Sequence, residues 1–232
     1  MTPLYVLGKL VVGLPMKYGY RPRVVGLENI PADGGAILAA NHLSVSDQLF
    51  LGSVVDRQVH YWAKEDYFHQ PGIAGRALAY LMHGLGTIPV HREGGRAALH
   101  ALDAAIPVLT SGELVGIFPE GTRSVDGRLY RGRVGVARLA MQARVPVVPI
   151  GIVGTDRVQP KGDPMPRLSA IGRSGVEIRF GKPMDFSDRD DGMAEMHAIT
   201  KAIMTEIQLL SGQEYVGRYA PRSTDSGAEK VD

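Results

Sequence analysis

Two side chains that could share a proton stand five positions apart in the stretch AANHLSVSDQLF, residues 39–50: His42 and Asp47. On one continuous helix, at about 100° per residue, they would point roughly 140° apart, so the chain must turn between them if they are partners. The apolar run at 36–40 ends abruptly at Asn41-His42, as a buried strand does on leaving a sheet. Ser44, Ser46 and Asp47 are all good helix N-cap types ahead of QLFLGSVV. His42 is therefore expected in a strand-to-helix loop and Asp47 near the start of the next helix, where the loop can fold one back onto the other. A carboxylate on one imidazole nitrogen fixes the tautomer and stabilises the imidazolium that forms when the other nitrogen takes a proton. That is a general base, an effect worth about 10²–10⁴ in rate. The same residues also fit an N-cap aspartate beside an unrelated loop histidine.

A second stretch, GIFPEGTRS at 116–124, runs a buried strand into Pro119 and then Glu120, Gly121, Thr122 and Arg123. Gly121 allows close backbone approach, Thr122 supplies a hydroxyl, and Arg123 supplies a planar fork for phosphate oxygens. The bland alternative is a strand-ending turn with surface charges. Arg92 follows another apolar run in GTIPVHR, and Lys64 in YWAKEDYF leaves a third. In open α/β sheets ligands collect at the carboxyl ends of strands. A histidine–acid pair and cations on one such rim suggest a base aimed at a phosphate-bearing alcohol. There is no G-x-S-x-G elbow, no phosphate-binding G-x-x-x-x-G-K-[ST] and no H-E-x-x-H. His83, His91 and His100 form no recognisable ligand set and are read as structural or surface residues, so no metal site is expected.

The elements that would position these groups alternate. Apolar runs at 23–27, 35–40, 59–63, 86–91, 114–118, 145–153 and 176–180 read as strands, with helix-like segments at 47–55, 72–83, 95–110, 133–144 and 191–211 between and after them. The pattern predicts an α/β sheet covered on both faces. Pro107 should kink or shorten the third helix, and two prolines in VPVVPIGI argue against an ordinary central position for part of that strand. A chain of 232 residues without cysteine needs no staple and excludes disulfides, thiolate metal sites and a cysteine nucleophile. Charge is nearly balanced, 26 basic against 24 acidic residues, which argues against nucleic acid as a partner. The distribution is not balanced: Arg123, Arg128, Arg131, Arg133, Arg138 and Arg144 face the single acid Asp126 within 121–144, an excess suited to an anionic small molecule or membrane surface, or merely a solvated face. No segment reaches the roughly 20 apolar residues of a membrane span. The apolar stretch from Leu4 to Met16 reads either as a helix docked on the core or as an interfacial anchor with Lys9 and Lys17 reaching outward.

Taken together, these residues resemble the glycerolipid acyltransferases, specifically the lysophosphatidate acyltransferase family. The N-H-x-x-x-x-D block appears as Asn41 to Asp47, the apolar strand ending in arginine as GTIPVHR with Arg92, the F-P-E-G-T-R-S block as Phe118 to Ser124, and the proline-bearing block as VPVVPIGI. The resemblance implies a central mixed, largely parallel sheet flanked by helices. With the apolar N-terminus and the Pro/Ser/Gly- and charge-rich C-terminus, the chain is expected to divide into an apolar, membrane-interacting segment at 1–21, an acyltransferase domain at 22–215 and a disordered tail at 216–232. The resemblance implies that His42, oriented by Asp47, deprotonates a lysophospholipid hydroxyl that attacks the thioester of acyl-CoA or an acyl carrier protein, with no covalent enzyme intermediate and no cofactor beyond that co-substrate. Arg92, Glu120, Gly121, Thr122 and Arg123 are then the substrate-side residues, Arg92 and Arg123 the phosphate contacts, and Lys64 a further one. Peripheral attachment at the cytoplasmic face of a membrane is expected. Other readings are the same chemistry on glycerol-3-phosphate or another lysolipid or glycolipid, an acyl-thioester hydrolase, and a lipid-binding module without catalysis.

Overall fold

Alternation along AILAA decides how the sheet is buried. Ile37 and Ala39 face one apolar cluster while Ala36, Leu38 and Ala40 face another, as a period of two requires of a strand covered on both sides. The computed structural model describes residues 1–90, 97–190 and 192–221. Its strands are β1 (Arg23–Val25), β2 (Ala36–Ala40), β3 (Val59–His60), β4 (Trp62–Lys64), β5 (Ile88–Val90), β6 (Leu114–Ile117), β7 (Leu129–Tyr130), β8 (Val147–Val153), β9 (Glu177–Phe180) and β10 (Tyr215–Val216). Its helices are α1 (Pro3–Gly8), α2 (Ser46–Val54), α3 (Gly72–Gly84), α4 (Ala97–Thr110), α5 (Gly135–Ala143), α6 (Thr155–Val158) and α7 (Met193–Ser211).

The central sheet has the order β1-β9-β8-β2-β6-β3 and is parallel except where β8 meets β9. This is the mixed, largely parallel sheet expected. One face packs on α4, α5 and α7 through residues such as Leu109, Leu139 and Ile203; the other packs on α2 and the N-terminal segment through Phe50, Leu51, Met16 and Tyr20. β4 and β5 form a separate parallel pair in which Lys64 is opposite Val90.

Three expectations change. The proline-bearing strand is central throughout, because β8 lies between β2 and β9. Pro149 is tolerated where the β8–β9 ladder is interrupted: Val147 pairs with Met184 and Ile150 with Phe180, so the partner carries an extra residue opposite the proline. Pro107 does not end α4 early: the helix runs on to Thr110, although the proline leaves the Asp103 carbonyl without its intrahelical donor. The first residues of the expected tail, from 216, are held to the fold. Val216 pairs with Tyr130, Arg131 N–H donates to the Arg218 carbonyl at 3.0 Å and Ala220 is buried. Residues 222–232 lie outside the described residues.

The N-terminal segment is docked on the core and also leaves apolar side chains exposed. It is helical from Pro3, passing from α1 into π-type turns over Lys9–Gly13 and Pro15–Gly19. Tyr5 is buried and its hydroxyl accepts from Val59 N–H at 3.2 Å, which docks the helix on β3. Lys9 turns inward, its Nζ donating to the Val55 carbonyl at 2.6 Å, rather than reaching outward as expected. Val6, Leu7, Leu10, Val11, Val12 and Leu14 remain exposed. Among the described residues no helix is long and apolar enough to cross a membrane.

Candidate active site

The histidine loop starts from a side chain that imitates backbone. At the end of β2, Asn41 donates its amide N–H to the Ile152 carbonyl at 2.8 Å and accepts from Ile152 N–H at 2.7 Å, extending the β2–β8 pairing by one side chain. His42 then leaves the sheet. Its Nδ1 lies 2.8 Å from Asp47 Oδ2. The same oxygen accepts from Leu43 N–H at 2.8 Å and Ser44 N–H at 2.9 Å. These donors fold the loop around the carboxylate.

α2 begins at Ser46 after Val45, with no side-chain cap. Asp47 is thus not the helix cap that its position permitted, and its carboxylate faces back to the histidine. Ser44 and Ser46 are not side-chain caps either: Ser44 Oγ accepts from Ser46 N–H at 3.2 Å and donates to the Gln159 carbonyl at 2.7 Å. Asp47 is 0% exposed, whereas the His42 side chain keeps 15% of its surface. With Nδ1–H donated to the carboxylate, Nε2 carries the free lone pair, the protonation pattern a general base needs.

The second stretch closes over this loop. Phe118 stacks on the imidazole with ring centroids 3.9 Å apart and 12° between planes, and Tyr61 continues the stack at 6.2 Å. Gly116 makes room for Tyr61, since a Cβ there would meet that ring at 2.2 Å. Ser124 N–H donates to the His42 carbonyl at 2.7 Å, and Gly121 N–H closes the intervening turn on the Phe118 carbonyl at 3.0 Å. Gly121 has φ +76, a left-handed conformation, and a Cβ there would stand 2.8 Å from Arg133 Nε. The positive φ favours glycine, whereas the contact could be relieved by a shift of the flexible Arg133 side chain. Thr122 and Arg123 are half-buried on this loop.

Glu120 departs from its expected substrate-side role. It is 0% exposed, one carboxylate oxygen accepting from His42 N–H and the other from Tyr130 N–H, each at 3.0 Å. No face is left for a ligand, so the residue braces the histidine loop against β7. Burial pushes its carboxyl up to about 7; the two backbone hydrogen bonds oppose this, and the charges of Asp47 and Asp126 add to it. Asp126 is the opposite case: hydrogen bonds from Arg128 bring it down to about 2.

The β4–β5 pairing brings the backbone of Lys64 to the strand end that precedes Arg92. Arg92 itself, and the side chain of Lys64, lie outside the described residues. Sequence reasoning missed Phe118, Tyr130 and Arg133 as parts of this site. Phe118 adjoins the acid–glycine turn and could have been suspected, whereas the other two arrive through tertiary contacts with no local signal.

With this geometry, similarities to known proteins become interpretable. The acyltransferase family model matches residues 21–153. The chain is 34% identical over 195 residues to the 1-acyl-sn-glycerol-3-phosphate acyltransferase of Bacillus subtilis, spanning 82% of this chain and 88% of that protein. It is 29% identical over 187 residues to a chloroplastic 1-acyl-sn-glycerol-3-phosphate acyltransferase of Arabidopsis thaliana, covering 80% of this chain. The chain spans about half the length of that protein and of its Brassica napus counterpart, 50% and 52%. The crystal structure of the 1-acyl-sn-glycerophosphate acyltransferase of Thermotoga maritima superposes with a TM-score of 0.61 at 27% identity, covering 90% of this chain and 83% of that one.

Proposed function

The chain belongs to the acyltransferase family, and from that premise we propose that it acylates the free hydroxyl of lysophosphatidate to give phosphatidic acid. The observation that carries this reading is the 2.8 Å contact between a partly exposed His42 and a buried Asp47, roofed by the loop that bears Arg123. His42 Nε2 takes the proton from the acceptor hydroxyl while that oxygen attacks the thioester carbonyl of acyl-CoA or an acyl carrier protein. The tetrahedral adduct collapses by breaking the C–S bond, and the departing thiolate recovers the proton from the imidazolium. Asp47 offsets the imidazolium charge in both half-steps. No cofactor is needed beyond the acyl thioester. Arg123, with Arg92 and Lys64, holds the acceptor phosphate by charge-assisted hydrogen bonds.

The reading extends to peripheral attachment at the cytoplasmic face of a membrane. Leu7, Leu10 and Val11 of the N-terminal segment are exposed, and so are Ile73 and Tyr80 of α3. The two segments are packed together, since a Cβ on Gly84 would meet Leu4 at 2.3 Å. An apolar surface built from two adjacent helices suits the boundary between head groups and acyl chains.

The test is an assay of the purified protein with one labelled acyl-CoA against lysophosphatidate, glycerol-3-phosphate, lysophosphatidylcholine and a glycolipid. Label is expected in phosphatidic acid with lysophosphatidate present. Free fatty acid without any acylated lipid would overturn transfer in favour of hydrolysis.

A further inference from the structure

Six arginines crowd residues 121–144, and the fold sorts them. Arg128 is tied to Asp126 through Nε at 2.8 Å and through a terminal nitrogen at 2.6 Å. Arg138 faces Asp103 at 3.4 Å and bonds Gln142. Arg144 follows the far end of α5 in a left-handed conformation. Arg123, Arg131 and Arg133 have no carboxylate partner among the described residues. Arg131 and Arg133, both exposed, instead share one aromatic ring: their guanidinium carbons lie 5.0 and 5.3 Å from the ring centroid of Tyr219.

This arrangement adjoins the histidine site. Arg133 N–H donates to the Pro119 carbonyl at 2.8 Å, and its side chain lies against Gly121, where a Cβ would stand 2.8 Å from Nε. The same loop is bound to His42 through Glu120 and Ser124. Tyr219 is brought there by the C-terminal segment, which pairs Tyr215 with Leu129 and Val216 with Tyr130. Two like charges held at one ring repel each other, and an anion beside them offsets that repulsion. Planar forks with no carboxylate partner among the described residues match the several oxygens and double charge of a phosphate monoester better than a singly charged diester.

We infer that Arg133, with Arg131 beside it, forms a phosphate-monoester subsite on the rim of the histidine site, and that Tyr219 is the residue that positions both guanidiniums. The inference rests on the acyl-transfer reading for its ligand. Two reactants carry this group, the acceptor lysophosphatidate and the 3′-phosphate of coenzyme A.

The test compares wild type with Arg133→Ala, Tyr219→Ala and Tyr219→Phe in the full chain. It measures KM and kcat for lysophosphatidate with acyl-CoA and with acyl-dephospho-CoA, and calorimetric binding of sn-glycerol 3-phosphate. Arg133→Ala should raise one KM roughly tenfold or more with kcat largely retained, as loss of a charge-assisted contact does. A rise in the acceptor KM with both donors identifies the acceptor phosphate. A rise confined to acyl-CoA and absent with the dephospho donor identifies the coenzyme's phosphate. Tyr219→Ala should raise the same KM about two- to fivefold. Tyr219→Phe keeps the ring face and should restore it, which a general packing defect would not allow. Arg138→Ala removes a cation already paired with Asp103 and should leave both KM values in place. If Arg133→Ala lowers Tm, Arg133→Met keeps the stem against Gly121 and carries the same test. Unchanged KM values and phosphate binding in the folded Arg133 variants would overturn the subsite. A wild type that transfers no acyl group yet binds sn-glycerol 3-phosphate in an Arg133-dependent way would overturn the transfer reading and leave the subsite standing.

Discussion

Replacing Glu120 by Gln keeps the shape of the brace and removes its titration. The carboxyl is fully buried, and its value rises from an ordinary 4.5 to about 7. That difference corresponds to roughly 3 kcal/mol of linkage between protonation and folding. The sign follows from where the proton sits. Between those two values the native state holds a proton that the unfolded chain has released, so stability is greatest at low pH and falls as pH rises toward 7. Glutamine does not titrate, so the stability of the native protein relative to Glu120→Gln should fall by roughly 2.5 kcal/mol between about pH 5 and pH 8. A second effect is superimposed and does not depend on pH. Both oxygens of Glu120 accept backbone N–H groups at 3.0 Å, but Gln offers one acceptor and turns a donor toward the other N–H. That unsatisfied pair costs about 1–3 kcal/mol throughout. Urea unfolding of both proteins across this pH range measures the sum, and the slope isolates the carboxyl. A difference that stays flat with pH would refute the reasoning, because the buried carboxylate would then carry no linkage. Kinetics give an independent check. A brace for His42 should lower kcat more than it raises the acceptor KM, whereas a substrate contact should do the reverse.

Three further predictions follow from the same geometry. Asp47→Asn should lower kcat by about 10⁴ and His42→Ala by at least about 10², both folded, because imidazolium stabilisation and then the base itself are removed; near-normal turnover at saturating substrates in the histidine variant would end the general-base assignment. Gly121→Ala should destabilise by about 1 kcal/mol or more from its φ of +76, and should also raise whichever KM Arg133→Ala raises, by displacing Arg133; thermal melts with paired kinetics would detect both, and an unchanged Tm would contradict the strain argument. Leu10→Asp with Val11→Asp, both on the exposed side of the N-terminal segment, should weaken binding to anionic vesicles while leaving Tm and turnover of a short-chain, water-soluble acceptor in place; deleting residues 1–18 is the poorer test because Tyr5 and Met16 are buried, so unfolding would accompany any loss of attachment.

Local pattern in the sequence was enough to place α2, α3, α4, α5, α7 and the strands of the central sheet, because each element's apolar period is set by which side chains must leave water. It was enough, too, to put His42 in a loop and Asp47 at the next helix, since an apolar run ending in Asn-His has to leave the sheet. What it left open was whether those two meet. Asp47 could have capped α2, and the decision falls to three donors converging on one oxygen, from His42, Leu43 and Ser44. The role of Glu120 was likewise undecidable locally, because a motif states which residue is present but not which way it points. Its inward direction depends on Tyr130, ten positions away, and on the burial that the closing sheet imposes. Arg133 and Tyr219 are farther apart still, and no spacing rule joins them. They meet because β10 pairs with β7 and lays the C-terminal segment beside the histidine loop. Residue types and local periods follow from short-range chemistry, whereas the partner of a charged side chain is chosen by long-range packing, and only the folded chain contains that choice.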